Sequence, residues 1–170
     1  MNSIKKSHKN IRRCVIGTVA LIVLCSMTAY AYDFMEPSNL TEEELRNGLH
    51  GNLKNYAGEF LECEEQYGIN AAALASIAAL ESGWGESYMA TEKNNFFGWT
   101  DASGGYATFD SAEDCISHVA NFLSENYLSE DGTYYSGGTR TSDIAENYSP
   151  TEAWPSAVNE IMAGIIENSK

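Results

Sequence analysis

A mainly helical single domain carrying one short β-hairpin lobe is the fold class this sequence predicts, and three observations predict it. The 170 residues are 44% apolar and 11% aromatic, enough for one packed domain and short of two. Apolar residues recur every three or four positions along most of the chain, behind residues of helix-capping type. One Gly/Ser-rich stretch, residues 94–109, breaks that period and sets aromatic runs on either side of a Gly-Gly turn. This composition excludes a disordered chain, a collagen-like repeat and a multi-span membrane protein.

The first element is a leader. Lys5, Lys6, Lys9, Arg12 and Arg13 precede an uncharged run from Cys14 to Cys25, followed by Ala29-Tyr-Ala31 before the first acid, Asp33. A cationic start, an apolar stretch of this length and an A-x-A site predict a signal peptide over residues 1–31. Read on through Tyr32, the uncharged run approaches the length of a spanning helix, so an N-terminal membrane anchor through residues 14–32 is the alternative. Both place the remainder outside the cytoplasm, secreted or held at the cell surface. Residues 32–40, with Pro37, read as a linker, and residues 41–170 as the domain.

Within the domain, Thr41-Glu-Glu-Glu44 is a capping box. Leu45, Leu49, Leu53, Tyr56, Phe60, Cys63 and Tyr67 then follow at helical spacing, and Gly48, Gly51 and Gly58 predict one bent helix or two short ones. Gly68 ends it. Asn70 caps an Ala-rich helix over 71–82. Ser111 caps the next, with Ile116, Val119, Ala120, Leu123 and Tyr127 on one face. A polar loop spans 129–140 and a short helix lies near 141–147. Thr151 is predicted to cap the last helix, whose stripe is Trp154, Val158, Ile161, Met162 and Ile165.

Charge and cysteine narrow the chemistry. Ten Lys and Arg face 24 Asp and Glu, and five of those cations belong to the leader. A domain this acidic is unsuited to nucleic acid, which is held by Lys and Arg. Cys63 and Cys115 remain after the leader, either bridged or reduced and buried. No CxxC or HExxH occurs, so neither a metal nor a cofactor is implied. Cys115 and His118 share a helix face, but a buried structural thiol is the plainer account of that pair.

Glu81 is the residue that periodicity leaves unexplained. Leu74, Ile77, Ala78 and Glu81 stand at i, i+3, i+4 and i+7, which puts an acid on an apolar stripe at the negative end of a helix. Cores seldom hold an unpaired acid, and a carboxylic acid in such a place suits general acid catalysis. Ser82-Gly-Trp-Gly85 then turns the chain sharply beside it. Trp84, Asn94, Asn95, Phe96, Phe97 and Trp99 supply ring faces and amides, the mixture that recognises sugars.

These residues also carry a resemblance. Tyr67-Gly-Ile-Asn70, Ala78-Ala-Leu-Glu-Ser-Gly-Trp-Gly85, Asn94-Asn-Phe-Phe-Gly98, Tyr106-Ala-Thr-Phe-Asp-Ser111, Ile116-Ser-His118 and the pair Tyr148 and Trp154 occur in that order. The run, over about residues 55–165, resembles the glucosaminidases of glycoside hydrolase family 73. The resemblance implies an α+β lysozyme-like fold whose hairpin flanks a cleft. It implies cleavage of cell-wall glycan between N-acetylglucosamine and N-acetylmuramic acid, with peptidoglycan strands as the partner of a monomer. It assigns the catalytic acid to Glu81, an active-site tyrosine to Tyr148, and sugar contacts to Asn95 and Phe97. Trp84 and Trp99 are the further candidates for substrate binding.

The chain departs from the family between Gly98 and Tyr106, where the lobe is short and Asp101 is its sole acid. The arginine of the family's FRxY-like segment is also missing from Tyr106-Ala-Thr-Phe109. Asp101 is a candidate second carboxylate, weighed against an ordinary turn aspartate. Without a second carboxylate, the substrate's own acetamide would be the nucleophile. A lytic transglycosylase and a non-catalytic wall-binding module are the alternative functions.

Overall fold

A computed structural model describes residues 32–170, so the leader predicted over residues 1–31 lies outside the described residues. Seven α-helices follow in the described chain: α1 (Glu42–Gly48), α2 (Ala57–Tyr67), α3 (Ala71–Ser82), α4 (Tyr88–Lys93), α5 (Ala112–Leu123), α6 (Thr141–Tyr148) and α7 (Trp154–Asn168). A 3-10 turn over Gly51–Tyr56 joins α1 to α2, and a π-helical turn over Ser124–Leu128 extends α5.

The centre is α3. Every residue from Ala71 to Ala79 is buried, because a helix apolar on all sides has no face to give to water. Its many alanines let neighbouring helices approach closely. α3 packs against α7 and α2, α7 also meets α1 and α6, and α2 meets α5. Phe60, Leu74, Ile77, Ile116 and Met162 fill the spaces between them. Each such side chain contributes about 1.5–3 kcal/mol through burial.

Local signals set most helix ends. Thr41 and Glu44 form the capping box, and the Asn70 side chain accepts the Ala73 N–H at 3.0 Å. Ser111 accepts that of Asp114 at 3.0 Å. Gly68 closes α2 with φ +71°, the left-handed conformation that glycine adopts without penalty. The segment predicted as a bent helix or two short ones is α1, the 3-10 turn and α2, broken by extended Leu49 and by Gly51 at φ +53°.

Four expectations need correction. The hairpin lobe is absent: a single antiparallel bridge, Thr100 to Tyr106, stands where strands were expected. Pairing goes no further than the backbone bonds from Ala107 N–H to the Trp99 carbonyl (2.9 Å) and from Asp101 N–H to the Gly105 carbonyl (2.7 Å), and the Asn95 side-chain amide braces the same segment by donating to the carbonyls of Trp99 (2.8 Å) and Ala107 (2.9 Å). The segment read as a linker, residues 32–40, is held against the domain. Phe34 within it is fully buried, its N–H donates to the Thr139 carbonyl at 2.9 Å, and its carbonyl accepts the Asn70 N–H at 2.8 Å. Thr151 does not cap α7, because residues 151–153 form a turn in which the Thr151 carbonyl accepts the Trp154 N–H at 3.0 Å. Finally, α4 stands where no helix was expected, opened by the Ser87 hydroxyl accepting the Ala90 N–H at 3.2 Å.

Candidate active site

Glu81 is the last residue but one of α3, and there the central helix leaves the core. The stripe predicts a core-facing acid; the carboxylate is exposed instead, at the mouth of a cleft. Three residues in left-handed conformations follow at once, Gly83 (φ +58°), Trp84 (φ +61°) and Gly85 (φ +80°). The Ser82 hydroxyl pins this turn by donating to the Ala78 carbonyl (2.5 Å) and accepting the Gly85 N–H (2.7 Å).

The cleft encloses about 350 Å³, and its walls include Glu81, Phe97, Trp99, Phe122, Tyr127 and Tyr148. Phe97 is buried in the floor, whereas Trp99 is half-buried. The Trp99 ring stands edge-on to Phe122 at 4.8 Å and to His118 at 4.9 Å. Tyr148 shares the cleft with Glu81 although it comes from the end of α6. Burial, and after it the Glu81 carboxylate, push the Tyr148 phenol above its usual range, so it stays a neutral hydroxyl able to donate and accept.

Trp154, the first residue of α7, completes the arrangement. It is 5% exposed, and its indole N–H donates to Glu81 Oε1 at 3.1 Å. The Tyr148 ring lies 4.7 Å from it, tilted by 34°. Periodicity reads Trp154 as core packing and overlooks this bond. The available signal was chemical, since a buried indole N–H needs an acceptor. Tyr127 also passes for a core residue by period alone, and Phe122 lies off the predicted stripe of its helix. The π-helical turn at 124–128, a feature frequent at functional sites, brings Tyr127 to the wall.

Three expected site residues lie elsewhere or are otherwise engaged. Trp84 is turned away from the cleft and lines a second depression of about 410 Å³, beside His50, Ile161 and Glu160. Its ring meets the His50 imidazole edge-on at 4.8 Å. Asn95 is 1% exposed, and its side chain is consumed inside the loop, where Oδ1 accepts the Trp99 N–H at 2.9 Å. Asn95 therefore shapes the cleft without facing it. Asp101 is exposed on the turn beyond the cleft, accepting the Ser103 hydroxyl (2.5 Å), the Ser103 N–H (2.8 Å) and the Gly105 N–H (3.2 Å). Those bonds, the Ser103 hydroxyl first, hold its carboxyl below the ordinary range.

Cys63 and Cys115 are both free and buried. Burial pushes the Cys63 thiol up to about 12 and the Cys115 thiol up to about 11, which removes the thiolate that a Cys115–His118 nucleophile would need. Among the described residues, no group of three or more His, Cys, Asp or Glu is gathered as a metal site requires. One carboxylate, a neutral phenol and aromatic walls thus line the cleft, a set that can donate a proton while gripping ring faces.

Comparison with known proteins gives the same outline. The family model described as "Glucosaminidase: Mannosyl-glycoprotein endo-beta-N-acetylglucosaminidase" matches residues 57–166. A Streptococcus pneumoniae protein whose assigned name is that of an endo-beta-N-acetylglucosaminidase is 34% identical over 145 residues, covering 79% of this chain and 22% of its own. The chain spans about a fifth of the length of the curated relatives it matches. Autolysin E of S. aureus, solved with the disaccharide NAG-NAM, superposes with a TM-score of 0.64 at 24% identity, over 81% of this chain and 71% of that one. The catalytic domain of the autolysin Auto of Listeria monocytogenes gives 0.55 at 19% identity, over 77% and 89%. At these identities the structural likeness is one of fold, and it agrees with a lysozyme-like helical domain. The matched residues contain Glu81, Tyr148, Trp154 and the cleft between them, and by this match the chain belongs to the glucosaminidase family.

Proposed function

We propose that this domain is an exported peptidoglycan hydrolase that cleaves glycan strands at N-acetylglucosamine-β-1,4-N-acetylmuramic acid bonds, with Glu81 as general acid. One observation carries the reading: the Glu81 carboxylate is held by the Trp154 indole at 3.1 Å and opens on an aromatic cleft that also contains Tyr148. Family membership and the disaccharide bound by the related S. aureus autolysin support the substrate class. Export rests on the leader pattern of residues 1–31.

In the proposed reaction, Phe97 and Trp99 grip sugar ring faces, and Glu81 gives its proton to the glycosidic oxygen as the bond to the anomeric carbon breaks. Asp101 is committed to its own turn, so the acetamide oxygen of the N-acetylglucosamine unit bonds to the anomeric carbon. Tyr148 orients that acetamide through its hydroxyl. Water then opens the cyclic intermediate, and the Glu81 carboxylate takes the proton that water releases. The single cleft carboxylate also serves a lytic transglycosylase, whose products end in anhydro-sugars instead of reducing ends.

Mass spectrometry of the muropeptides released from purified peptidoglycan separates these outcomes. N-acetylglucosamine reducing ends are expected. Glu81→Gln should keep the fold and lower cleavage by about 10²–10⁴-fold. Undiminished release by the folded variant would remove Glu81 from the mechanism, and binding of glycan without release by the wild type would make the domain a wall-binding module.

A further inference from the structure

Glu81 has two carboxyl oxygens, and the structure treats them differently. One accepts the Trp154 indole N–H at 3.1 Å. Glu81 is an exposed residue that lines the cleft, while its bond to the indole is part-buried. Trp154 itself is 5% exposed and stands outside the residues that line the cleft. The indole can only donate, and it is held in place from two sides. Its backbone N–H is bound by the Thr151 carbonyl at 3.0 Å, and its ring lies 4.7 Å from that of Tyr148.

We propose that Trp154 is a positioning residue that decides which oxygen of Glu81 carries the transferable proton. This rests on the assignment of Glu81 as general acid. An oxygen that accepts the indole N–H keeps a lone pair for it and is the carbonyl oxygen of the neutral acid. The proton is thereby placed on the other oxygen, Oε2, which the indole does not hold. When the C–O bond of the substrate breaks, that proton passes to the leaving oxygen and the N–H bond remains to stabilise the carboxylate left behind. No flip of the carboxyl group is needed between binding and transfer. A carboxyl free to rotate would present its proton to the glycosidic oxygen for only part of the time, and loss of near-attack geometry of this kind costs turnover more than binding.

A second consequence concerns Tyr148. Its ring packs on the same indole, so two groups that line the cleft are both held against Trp154. Glu81 and Trp154 are 73 positions apart, and the contact between α3 and α7 that joins them is the central contact of the domain.

The test replaces the N–H without removing the ring. Trp154→benzothienylalanine puts sulfur in place of the indole nitrogen, and Trp154→Phe shortens the ring; both are assayed on purified glycan strands beside the wild type and Glu81→Gln. The benzothienylalanine variant is expected to melt as the wild type does, to keep its KM, and to lose roughly 10- to 100-fold in kcat. Wild-type kcat in this variant overturns the proposal, as does a raised KM at unchanged kcat, which would make Trp154 a binding residue. Trp154→Phe is expected to lose kcat similarly; if it fails to fold, the isosteric variant still decides. Full activity of Glu81→Gln would overturn the acid assignment itself. Loss in Glu81→Gln with none on removal of the N–H overturns only the role given to Trp154.

Discussion

Asn95 and Trp99 clasp each other in both directions: the Asn95 amide donates to the Trp99 carbonyl at 2.8 Å, and its oxygen accepts the Trp99 N–H at 2.9 Å. A third bond runs from the same amide to the Ala107 carbonyl at 2.9 Å. One buried side chain thus braces the loop that carries Trp99 to the cleft, beside the backbone bond from the Ala107 N–H to the Trp99 carbonyl at 2.9 Å. Asn95→Asp removes both donated bonds; the Trp99 carbonyl keeps the Ala107 N–H, whereas the Ala107 carbonyl loses the amide. Each unpaired buried group costs about 1–3 kcal/mol, so a fall in urea-unfolding stability within that range or above is expected. Glycan cleavage should fall with it, through a raised KM. An unchanged unfolding midpoint would show that the loop does not depend on the clasp.

Tyr148 offers a separation of packing from chemistry. Its ring contacts Trp154 and Tyr127, at 4.7 and 5.9 Å, and Tyr148→Phe preserves both contacts. Melting should change little, while kcat on glycan strands should drop by about tenfold or more if the hydroxyl orients the acetamide. Equal activity of the two proteins would leave Tyr148 a packing residue.

Asp101→Asn is expected to keep measurable cleavage, because the carboxylate serves Ser103 and Gly105 and is absent from the cleft walls. Single-turnover hydrolysis beside Glu81→Gln is the direct comparison, and equal losses would make Asp101 a catalytic base. The turn should also respond to acid. A carboxyl lowered in the folded state binds fewer protons than in the unfolded chain, so its stabilisation is present above the ordinary carboxylate value. It fades as pH falls through the lowered one. Amide exchange at Ser103 and Gly105 should quicken on acidification in the wild type and be pH-independent, apart from intrinsic exchange, in Asp101→Asn.

The two buried thiols set an alkaline limit. Folded Cys63 and Cys115 are pushed up to about 12 and about 11 from the model-compound value of 9.0. Between those values the unfolded chain has released protons that the folded one retains, so stability is fully present below pH about 9 and declines as pH rises above it. Thermal melting from pH 8 to 10.5 should show the decline in the wild type and a shallower one in Cys63→Ala. Identical slopes would mean that other groups govern alkaline unfolding.

The ends of α2, α3 and α5 were legible because their determinants lie within four residues: Gly68, Asn70 and Ser111 act on backbone groups of the next or previous turn. The apolar stripe singled out Glu81 but turned it toward the core, whereas the end of α3 carries it to the surface at the cleft. The linker reading of residues 32–40 missed Phe34, since its pocket is built by chain more than thirty residues away. The hairpin reading expected longer pairing than the segment has: the chain turns between Asp101 and Gly105 and pairs through one bridge, Thr100 to Tyr106, while the buried Asn95 amide braces the carbonyls of Trp99 and Ala107.

Sequence alone thus carried the helical class, the caps of α1, α3 and α5 and the family motifs, all of which are local or periodic properties. Tertiary structure decided what surrounds the acid. It placed the indole of Trp154 against a carboxylate 73 positions away, brought Tyr148 into the same cleft, and turned Trp84 out of the cleft through three successive left-handed residues. It also spent the hydrogen bonds of Asn95 inside the loop. Those outcomes depend on how α3, α6 and α7 pack, and the direction of a loop or helix-end side chain follows from that packing because no period of its own constrains it.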